Sequence, residues 1–255
     1  MGPLGRSCFV VAVLAAASAR AQDPFEIQVY DADVLGYGQS MEELHVISKP
    51  SVVNPPPGEP RDPGLLHLTA EPQVGLGRHL ETAFYVETAL WPDGSYHVSG
   101  AKLRLKWKLW FSDDWPVRLA INAEVGNADV NSDAYAWSGE IRPILDWRFL
   151  GRCRAFLNTN LGVPLGHDVR AGPAFEPQAK ANCEVLWNVA LGLEYYTGLG
   201  PILDWLPLGE QTHYLFYVVD VYRWPKVEIS LGVGEPLTLA SGPWTLNANL
   251  GLEMP

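Results

Sequence analysis

The sequence lacks the features that mark most metal-dependent enzymes and nucleic-acid-binding proteins. Its 255 residues include three cysteines and six histidines. No histidine is paired with a cysteine or another histidine at the spacing of a metal site, and no glycine-rich loop has the phosphate-cradling form. Basic residues number 18 against 29 acidic ones, the reverse of the balance in most polyanion-binding proteins. These absences predict no cofactor, no metal and no nucleic-acid partner.

Long hydrophobic runs are also missing. Beyond the N-terminus, no stretch approaches the roughly 20 apolar residues of a membrane helix. Within residues 1–21, Arg6 precedes a short apolar run that ends in Ala19-Arg20-Ala21, the order that is typical of a secretory signal peptide. We expect cleavage after Ala21 and export. Loss of Arg6 and Arg20 leaves 16 basic against 29 acidic residues, a net charge of −13.

The rest of the chain shows alternating polarity. In Gly100–Trp110, GAKLRLKWKLW, cations take every second position and Ala, Leu or Trp the others, which predicts a β-strand with two unlike faces. Its leucines would face either the core of a soluble sheet or, in a membrane barrel, the lipid. Similar segments predict about twelve strands: Gln39–Lys49, Leu65–Gly75, His79–Leu90, Ser95–Leu109, Pro116–Gly126, Ala136–Phe149, Arg152–Val163, Ala174–Val185, Val189–Thr197, Thr212–Tyr222, Lys226–Glu235 and Pro243–Met254.

The connections between these strands favour the membrane barrel. Those after strands two, four, six, eight and ten are short, and most of the others are longer and rich in Pro, Gly or Asp. Outer-membrane barrels alternate in this way, with tight periplasmic turns and longer outside loops. The sequence therefore predicts an all-β fold, a single antiparallel transmembrane β-barrel of about 12 strands in the bacterial outer membrane. The barrel covers residues 39–255, after a signal peptide (1–21) and a periplasmic segment (22–38).

Tryptophans lie near the predicted strand ends, where indole rings suit a membrane interface. The pattern predicts two girdles that contact outer-membrane lipid. At the short turns they are Trp107, Trp110, Trp115, Trp147, Trp187 and Trp224, and at the long loops Trp91, Trp137, Trp205 and Trp244. Three prolines inside predicted strands, Pro72, Pro143 and Pro177, remove ladder donors, and β-bulges are one way to accommodate them.

Charged residues of both signs are predicted to line the lumen. The cations are Lys102, Arg104, Lys106, Lys108, Arg118, Arg142 and Lys180, and the acids are Glu71, Glu87, Glu124, Glu140, Glu194 and Glu228. Two interpretations stay open. The charges pair and plug the interior, giving a structural or adhesive barrel, or a basic wall faces an acidic wall across a narrow pore that selects small polar or anionic solutes.

Five stretches also carry a family resemblance: PFEIQVYDADV, ALWPDGSYHVSGAKLRLKW, EIRPILDW, GPAFEPQAKA and VALGLEYYTGLGPILDWLPLGEQTHYLFYVVDV. Together they resemble a family of uncharacterised bacterial outer-membrane β-barrel proteins that are described as transporters. The likeness covers nearly all of the mature chain, and GPAFEPQAK and LGLEYY are its most specific parts. It implies a barrel in the cell envelope and supplies no substrate.

An enzyme is the remaining alternative. His97 and Ser99 are two residues apart in strand four, on the face predicted to meet lipid. The pair resembles the His-x-Ser of outer-membrane phospholipases, twelve-stranded barrels in which the serine attacks an acyl carbonyl and the histidine takes its proton. Strand five offers His97 no outward polar partner, and Gly100 replaces the Asn-Gly that follows in that family. The sequence favours a non-enzymatic barrel.

Two cysteines, Cys153 and Cys183, would remain after signal cleavage, in an oxidising compartment. They fall on adjacent predicted strands that are joined by a loop around Asp168. A hairpin folded about Asp168 places them directly opposite each other, with Cα atoms about 4.5–5.5 Å apart, which a disulfide tolerates. We expect proximity, and the sequence alone does not decide between a disulfide and two free thiols.

Overall fold

The structure, a computed structural model, describes residues 25–49, 66–112, 114–129, 135–166 and 172–254. Twelve antiparallel strands pair with their neighbours in chain order, and β1 pairs with β12 to close the barrel. They are β1 Ser40–Ser48, β2 Leu66–Gly75, β3 Leu80–Leu90, β4 Tyr96–Lys108, β5 Val117–Ala128, β6 Trp137–Phe149, β7 Cys153–Leu165, β8 Ala174–Leu186, β9 Val189–Gly198, β10 Thr212–Trp224, β11 Val227–Pro236 and β12 Thr245–Met254.

The twelve-stranded barrel predicted from the sequence is confirmed, and every strand begins and ends within two residues of its predicted bounds. The helical elements in the described ranges are two short 3-10 helices, Trp110–Ser112 and Leu239–Ser241. No helix among the described residues is both long and apolar enough to cross a membrane. The predicted signal peptide lies outside the described ranges, and its cleavage stays a prediction.

The connections differ in length at the two ends of the barrel. One end, called here the short-turn end, carries residues 76–79, 109–112 with 114–116, 150–152, 187–188 and 225–226. At one of the two turns of two residues, Trp187 and Asn188 both have positive φ, 44° and 62°, as a hairpin turn of type I′ requires. The other end, the long-loop end, carries the longer connections, including residues 199–211. This sorting of loops is the one that the sequence predicts.

The two faces of the barrel wall have the polarity of a membrane barrel. On β4, Leu103 is 53% exposed and Leu105 45%, whereas Arg104 between them is 1% exposed. On β2 the inward side chains His67, Thr69, Glu71 and Gln73 are all buried. Apolar side chains therefore cover the outside and polar ones the inside, the reverse of a soluble sheet.

The in-strand prolines are accommodated in register, without the β-bulges that are one way to accommodate them. Pro72 keeps Glu42 as its partner on β1. On the β3 side, pairing is absent for two residues and resumes in the same register, with Ala70 opposite Val86 and Gln73 opposite Ala83. A proline lacks a single N–H group, so it interrupts hydrogen bonding toward only one neighbouring strand. Pro143 and Pro177 likewise stay in register with β5 and β7.

Cys153 on β7 lies directly opposite Cys183 on β8, and a disulfide joins them. Their Cα atoms are 4.1 Å apart. The loop around Asp168, which the hairpin argument uses as its centre, lies outside the described residues. The disulfide links β7 and β8 close to the short-turn end of the barrel.

The ten tryptophans occupy the two ends of the barrel wall. Trp107, Trp110, Trp115, Trp147, Trp187 and Trp224 lie at the short-turn end, and Trp91, Trp137, Trp205 and Trp244 at the long-loop end. Trp187 is 72% exposed and Trp110 65%, so their rings are available to an interface. Contact with lipid headgroups stays a prediction for both sets.

Candidate functional site

The chain ahead of β1 lies inside the barrel. From Gly36, at the short-turn end, residues 25–35 run back into the lumen, and they are called here the N-terminal segment. The backbone at Gly36 packs so closely on Gly75 of β2 that a side chain at Gly75 would collide with it, and the Gly38 N–H donates to the Gly75 carbonyl at 2.9 Å. The sequence assigns residues 22–38 to the periplasm, whereas this part of them contacts lumen side chains.

Side-chain amides of the wall bind the backbone of the N-terminal segment. The Asn158 amide on β7 donates to the Tyr30 carbonyl at 2.9 Å, and its oxygen accepts from the Tyr30 N–H at 2.7 Å. Asn247 and Asn249 on β12 both donate to the Ile27 carbonyl, at 2.8 and 3.2 Å. These bonds replace the ladder partners that a strand would have, so the segment has a defined position.

One side of the filled lumen is apolar. Ile27 and Val29 of the segment pack with side chains of β1, β7, β9 and β10, all at most 6% exposed: Ile47, Phe156, Tyr196, Tyr214, Phe216 and Val218. Gly234 on β11 leaves the space that the Phe216 ring fills. This cluster explains why β10 is apolar on both faces in the sequence: one face meets the membrane side and the other meets the N-terminal segment.

The other side of the lumen is a network of buried ion pairs. Arg104 on β4 contacts Glu71 on β2 at 2.8 Å and Glu81 on β3 at 2.6 Å. Glu26 of the segment lies 3.8 Å from Lys102 and 3.4 Å from Arg142. The ring of Tyr30 lies close to both guanidinium groups, 5.0 Å from Arg104 and 4.5 Å from Arg142, which is within cation–π range.

A cavity of about 830 Å³ opens beneath this network at the short-turn end. Asp31 and Asp33 of the segment reach into it and meet cations from four adjacent strands. We call these five residues the cation cluster: Lys106 and Lys108 from β4, Arg118 from β5, Arg148 from β6 and Arg154 from β7. The cavity is therefore strongly polar on the β4–β7 side, where the segment supplies the counter-charges.

The remaining charged residues that the sequence places in the lumen form ion pairs within the barrel wall. Lys102 contacts Glu87 at 2.9 Å, and Lys180 contacts Glu194 at 2.8 Å. On β5 and β6, Arg142 contacts Glu140 at 2.7 Å and lies 4.0 Å from Glu124. Glu228 differs from these residues because it lines the open cavity and is exposed. The cations of β4 thus pair with acids of neighbouring strands and of the N-terminal segment. They do not form the free basic wall of the pore interpretation.

Two groups of side chains bring several metal-ligating atoms together, Glu43–His45–Glu71 and Asp31–Asp33–Asp146. In the first, Glu71 already contacts Arg104 at 2.8 Å and His45 at 2.9 Å. In the second, Asp146 accepts from both Arg118 and Arg154. A metal ion would have to compete with guanidinium groups for the same oxygens, so both groups read as ion-pair networks.

The expected orientation of His97 and Ser99 is wrong. The β3–β4 register shifts between Glu87 and Thr88, so that Thr88 pairs with Val98 and Glu87 with Gly100. The extra residue, Ser99, is 2% exposed, whereas Val98 is 68% exposed. A bulge reverses the facing of the residues on one side of it. His97 contacts Ser95, at 2.8 Å, and stacks on Trp91, and Ser99 does not face the lipid as the hydrolase interpretation requires.

Sequence reasoning missed the acids that matter most in the lumen. Glu26, Asp31 and Asp33 lie before the first strand, and their role depends on contacts with residues more than 70 positions away. A signal was present, since FEIQV alternates apolar and polar side chains and YDAD follows it. An alternating acidic stretch ahead of a barrel with a row of lumen cations is a candidate for insertion into that lumen.

Comparisons with known proteins agree with this architecture. No protein-family model and no curated protein matches the chain. An outer membrane channel from Pseudomonas putida F1 superposes with a TM-score of 0.61 at 11% identity, over 90% of this chain and 100% of that one. The KdgM porin superposes with a TM-score of 0.57 at 9% identity, over 85% of this chain and 99% of that one. The protein has the fold of an outer-membrane β-barrel. The same porin in complex with disordered oligogalacturonate superposes on this barrel with a TM-score of 0.53 at 8% identity, over 85% and 98%.

Proposed function

We propose that this barrel is a narrow outer-membrane channel for small polar or anionic solutes, and that its own N-terminal segment closes it. The observation that carries the proposal is the way the segment is held. Residues 25–35 are bound in the lumen by side-chain hydrogen bonds, ion pairs and apolar packing, with no strand ladder of their own. The segment is therefore a separable part of the lumen, and its release opens a path.

The wall does not depend on the segment for its own closure. Each of the twelve strands pairs with two neighbours, and β1 pairs with β12 over nine residues. Release of the segment leaves these ladders intact and extends the existing cavity, of about 830 Å³, toward the long-loop end. The exposed lumen would then carry Lys102, Lys106 and Arg118 without Glu26, Asp31 and Asp33, which favours anions.

Two further points support a channel. The solved structures with the same fold include one named as a porin and one named as a channel, and a porin of this fold has been described with oligogalacturonate. The proposal assigns no catalytic role to His97 and Ser99, because His97 has Ser95 as its hydrogen-bond partner. The barrel is thus proposed to act by permeation rather than by hydrolysis.

The test compares the intact mature chain with a variant that lacks residues 25–35, in planar lipid bilayers. We expect the deletion variant to conduct in discrete steps with a preference for anions, and the intact chain to conduct far less. A synthetic peptide with the sequence of residues 25–35 should close the variant again. A folded deletion variant that inserts and conducts nothing would contradict the proposal and favour a structural or adhesive barrel.

A further inference from the structure

We propose that the cation cluster is a binding site for a compact solute with two or more carboxylates, and that Asp31 and Asp33 occupy it as internal substitutes for that solute. The inference rests on the proposed channel function, because it names the class of solute that the lumen takes. It also assigns the site to the short-turn end of the pore, where the cavity lies.

The contacts resemble those of a bound dicarboxylate. Arg154 reaches both segment carboxylates, Asp31 at 3.2 Å and Asp33 at 3.4 Å. Asp33 also contacts Arg118, as well as Arg148 at 3.2 Å and Lys108 at 3.9 Å. Asp31 has Lys106 at 3.4 Å. Guanidinium groups are suited to carboxylates because their planar fork presents parallel N–H donors.

The cation cluster loses two acidic partners when the segment leaves. The five cations come from strands β4–β7, and among the residues that the structure describes Asp146 is a carboxylate of these strands that stays and accepts from Arg118 and Arg154. Arg118 and Lys106 are only 6% and 4% exposed. Cations at such positions need counter-charges. When Asp31 and Asp33 leave, an anion from solution is the group that replaces them.

The spacing of the two segment carboxylates sets the class of solute. Carboxylate oxygens of Asp31, Asp33 and Asp146 all lie within 4.8 Å of one another, so two acid groups on a short carbon skeleton reproduce the Asp31–Asp33 pair. The adjoining cavity, about 830 Å³, is in the size range of small-molecule sites. Short di- and tricarboxylates meet both conditions.

Acidic residues on the opposite wall of the cavity also favour binding of a carboxylate solute at the cation cluster. Glu43, Glu228 and Glu253 lie on β1, β11 and β12 and line the same cavity. In a ring of twelve strands these lie across the barrel from β5–β7. A carboxylate solute is repelled by this acidic wall and attracted by the cation cluster, so the field across the cavity orients it.

The test uses the refolded mature chain in detergent and citrate as the probe, with calorimetric titration as the readout. Asp31→Asn together with Asp33→Asn removes both internal carboxylates and keeps their size. We expect this variant to bind citrate at least about tenfold more tightly than the unaltered chain. Acetate, with one carboxylate, should show little gain. Adding Arg118→Gln to the double variant should abolish the gain.

A matched control separates the site from a general effect of charge. Glu228→Gln with Glu253→Gln changes the net charge by the same amount in the same cavity, on the acidic wall. Equal citrate affinity in the two double variants would overturn the inference, as would no gain in a double variant whose folding is verified by heat-modifiable gel migration. Binding in detergent is independent of conductance, so citrate binding by a barrel that never conducts would refute the channel and keep the site.

Discussion

The side chain of Asn158 makes two hydrogen bonds with the backbone of Tyr30, one through each amide atom, at 2.9 and 2.7 Å. The two residues are 128 positions apart. An amide that pairs with both the carbonyl and the N–H of one residue imitates the partner that a neighbouring strand would provide. It fixes the depth and the rotation of the N-terminal segment, because a shift by one residue would break both bonds.

Loss of the Asn158 amide should therefore loosen the segment. We expect Asn158→Ala to increase the frequency of open-channel events in planar bilayers, because two hydrogen bonds worth together about 1–3 kcal/mol are lost. Asn182→Ala is the matched control, since the Asn182 amide binds Asp220 of the wall at 2.7 Å. If the two variants gate alike, the Asn158–Tyr30 contact does not hold the channel closed.

A covalent tether should lock the segment in place. Ala32 lies in one buried apolar cluster with Ala120 on β5. We expect Ala32→Cys with Ala120→Cys, in a background where Cys153 and Cys183 are serine, to suppress residual conductance until a reductant is added. The single variant Ala32→Cys serves as control. Conductance that is unchanged by reductant, with the new disulfide verified by mass spectrometry, would show that the segment does not gate.

Arg104 should be the cation on which stability depends most. It is 1% exposed and contacts Glu71 and Glu81, so its removal leaves buried carboxylates without their counter-ion. We expect Arg104→Gln to lower the free energy of unfolding by about 3–5 kcal/mol, measured by urea unfolding in micelles. Arg148→Gln, which removes a half-exposed guanidinium from Asp33, should cost at most about 1 kcal/mol. Equal losses would mean that the Arg104 pairs are not the stabilising ones.

The Cys153–Cys183 disulfide should be detectable by chemical labelling. We expect the denatured, unreduced mature chain to take up no alkylating reagent and the reduced chain to take up two labels, counted by mass spectrometry. Because the bond closes a loop across 30 residues of sequence, replacing both cysteines with serine should lower stability by about 2–4 kcal/mol. Two labels on the unreduced chain would show that the thiols are free.

The strands could be predicted closely because their signals are local. Alternation with a period of two and turn residues between the runs are visible within about ten residues, and the Cys153–Cys183 register follows from the centre of one hairpin. The bulge at Ser99 has only a weak signal in the sequence. Leu103 and Leu105 are apolar at odd positions, whereas Val98 is apolar at an even position and Ser99 is polar at an odd one. Pairing with β3 shows that this change of phase is a bulge.

The lumen partners of the N-terminal segment could not be predicted, for a different reason. Its position depends on groups that lie far along the chain, on β4, β7 and β12, and no pattern within residues 25–35 names those partners. The alternation predicts that Lys106 and Arg118 face inward, but it does not point to Asp31 and Asp33 as their partners. The sequence places both aspartates in a periplasmic segment, whereas in the structure Asp31 pairs with Lys106 and Asp33 with Arg118.

The fold-back at Gly36, held by the bond between Gly38 and Gly75, keeps the segment attached to the wall that it fills. A released segment cannot diffuse away, so it competes for the cation cluster as an intramolecular ligand. Short flexible links of this kind give effective concentrations on the order of millimolar. A solute must therefore be abundant, or hold the cluster through several charges at once, to displace it. Reclosure needs no second molecule, and the threshold for opening is the same however many copies the membrane contains.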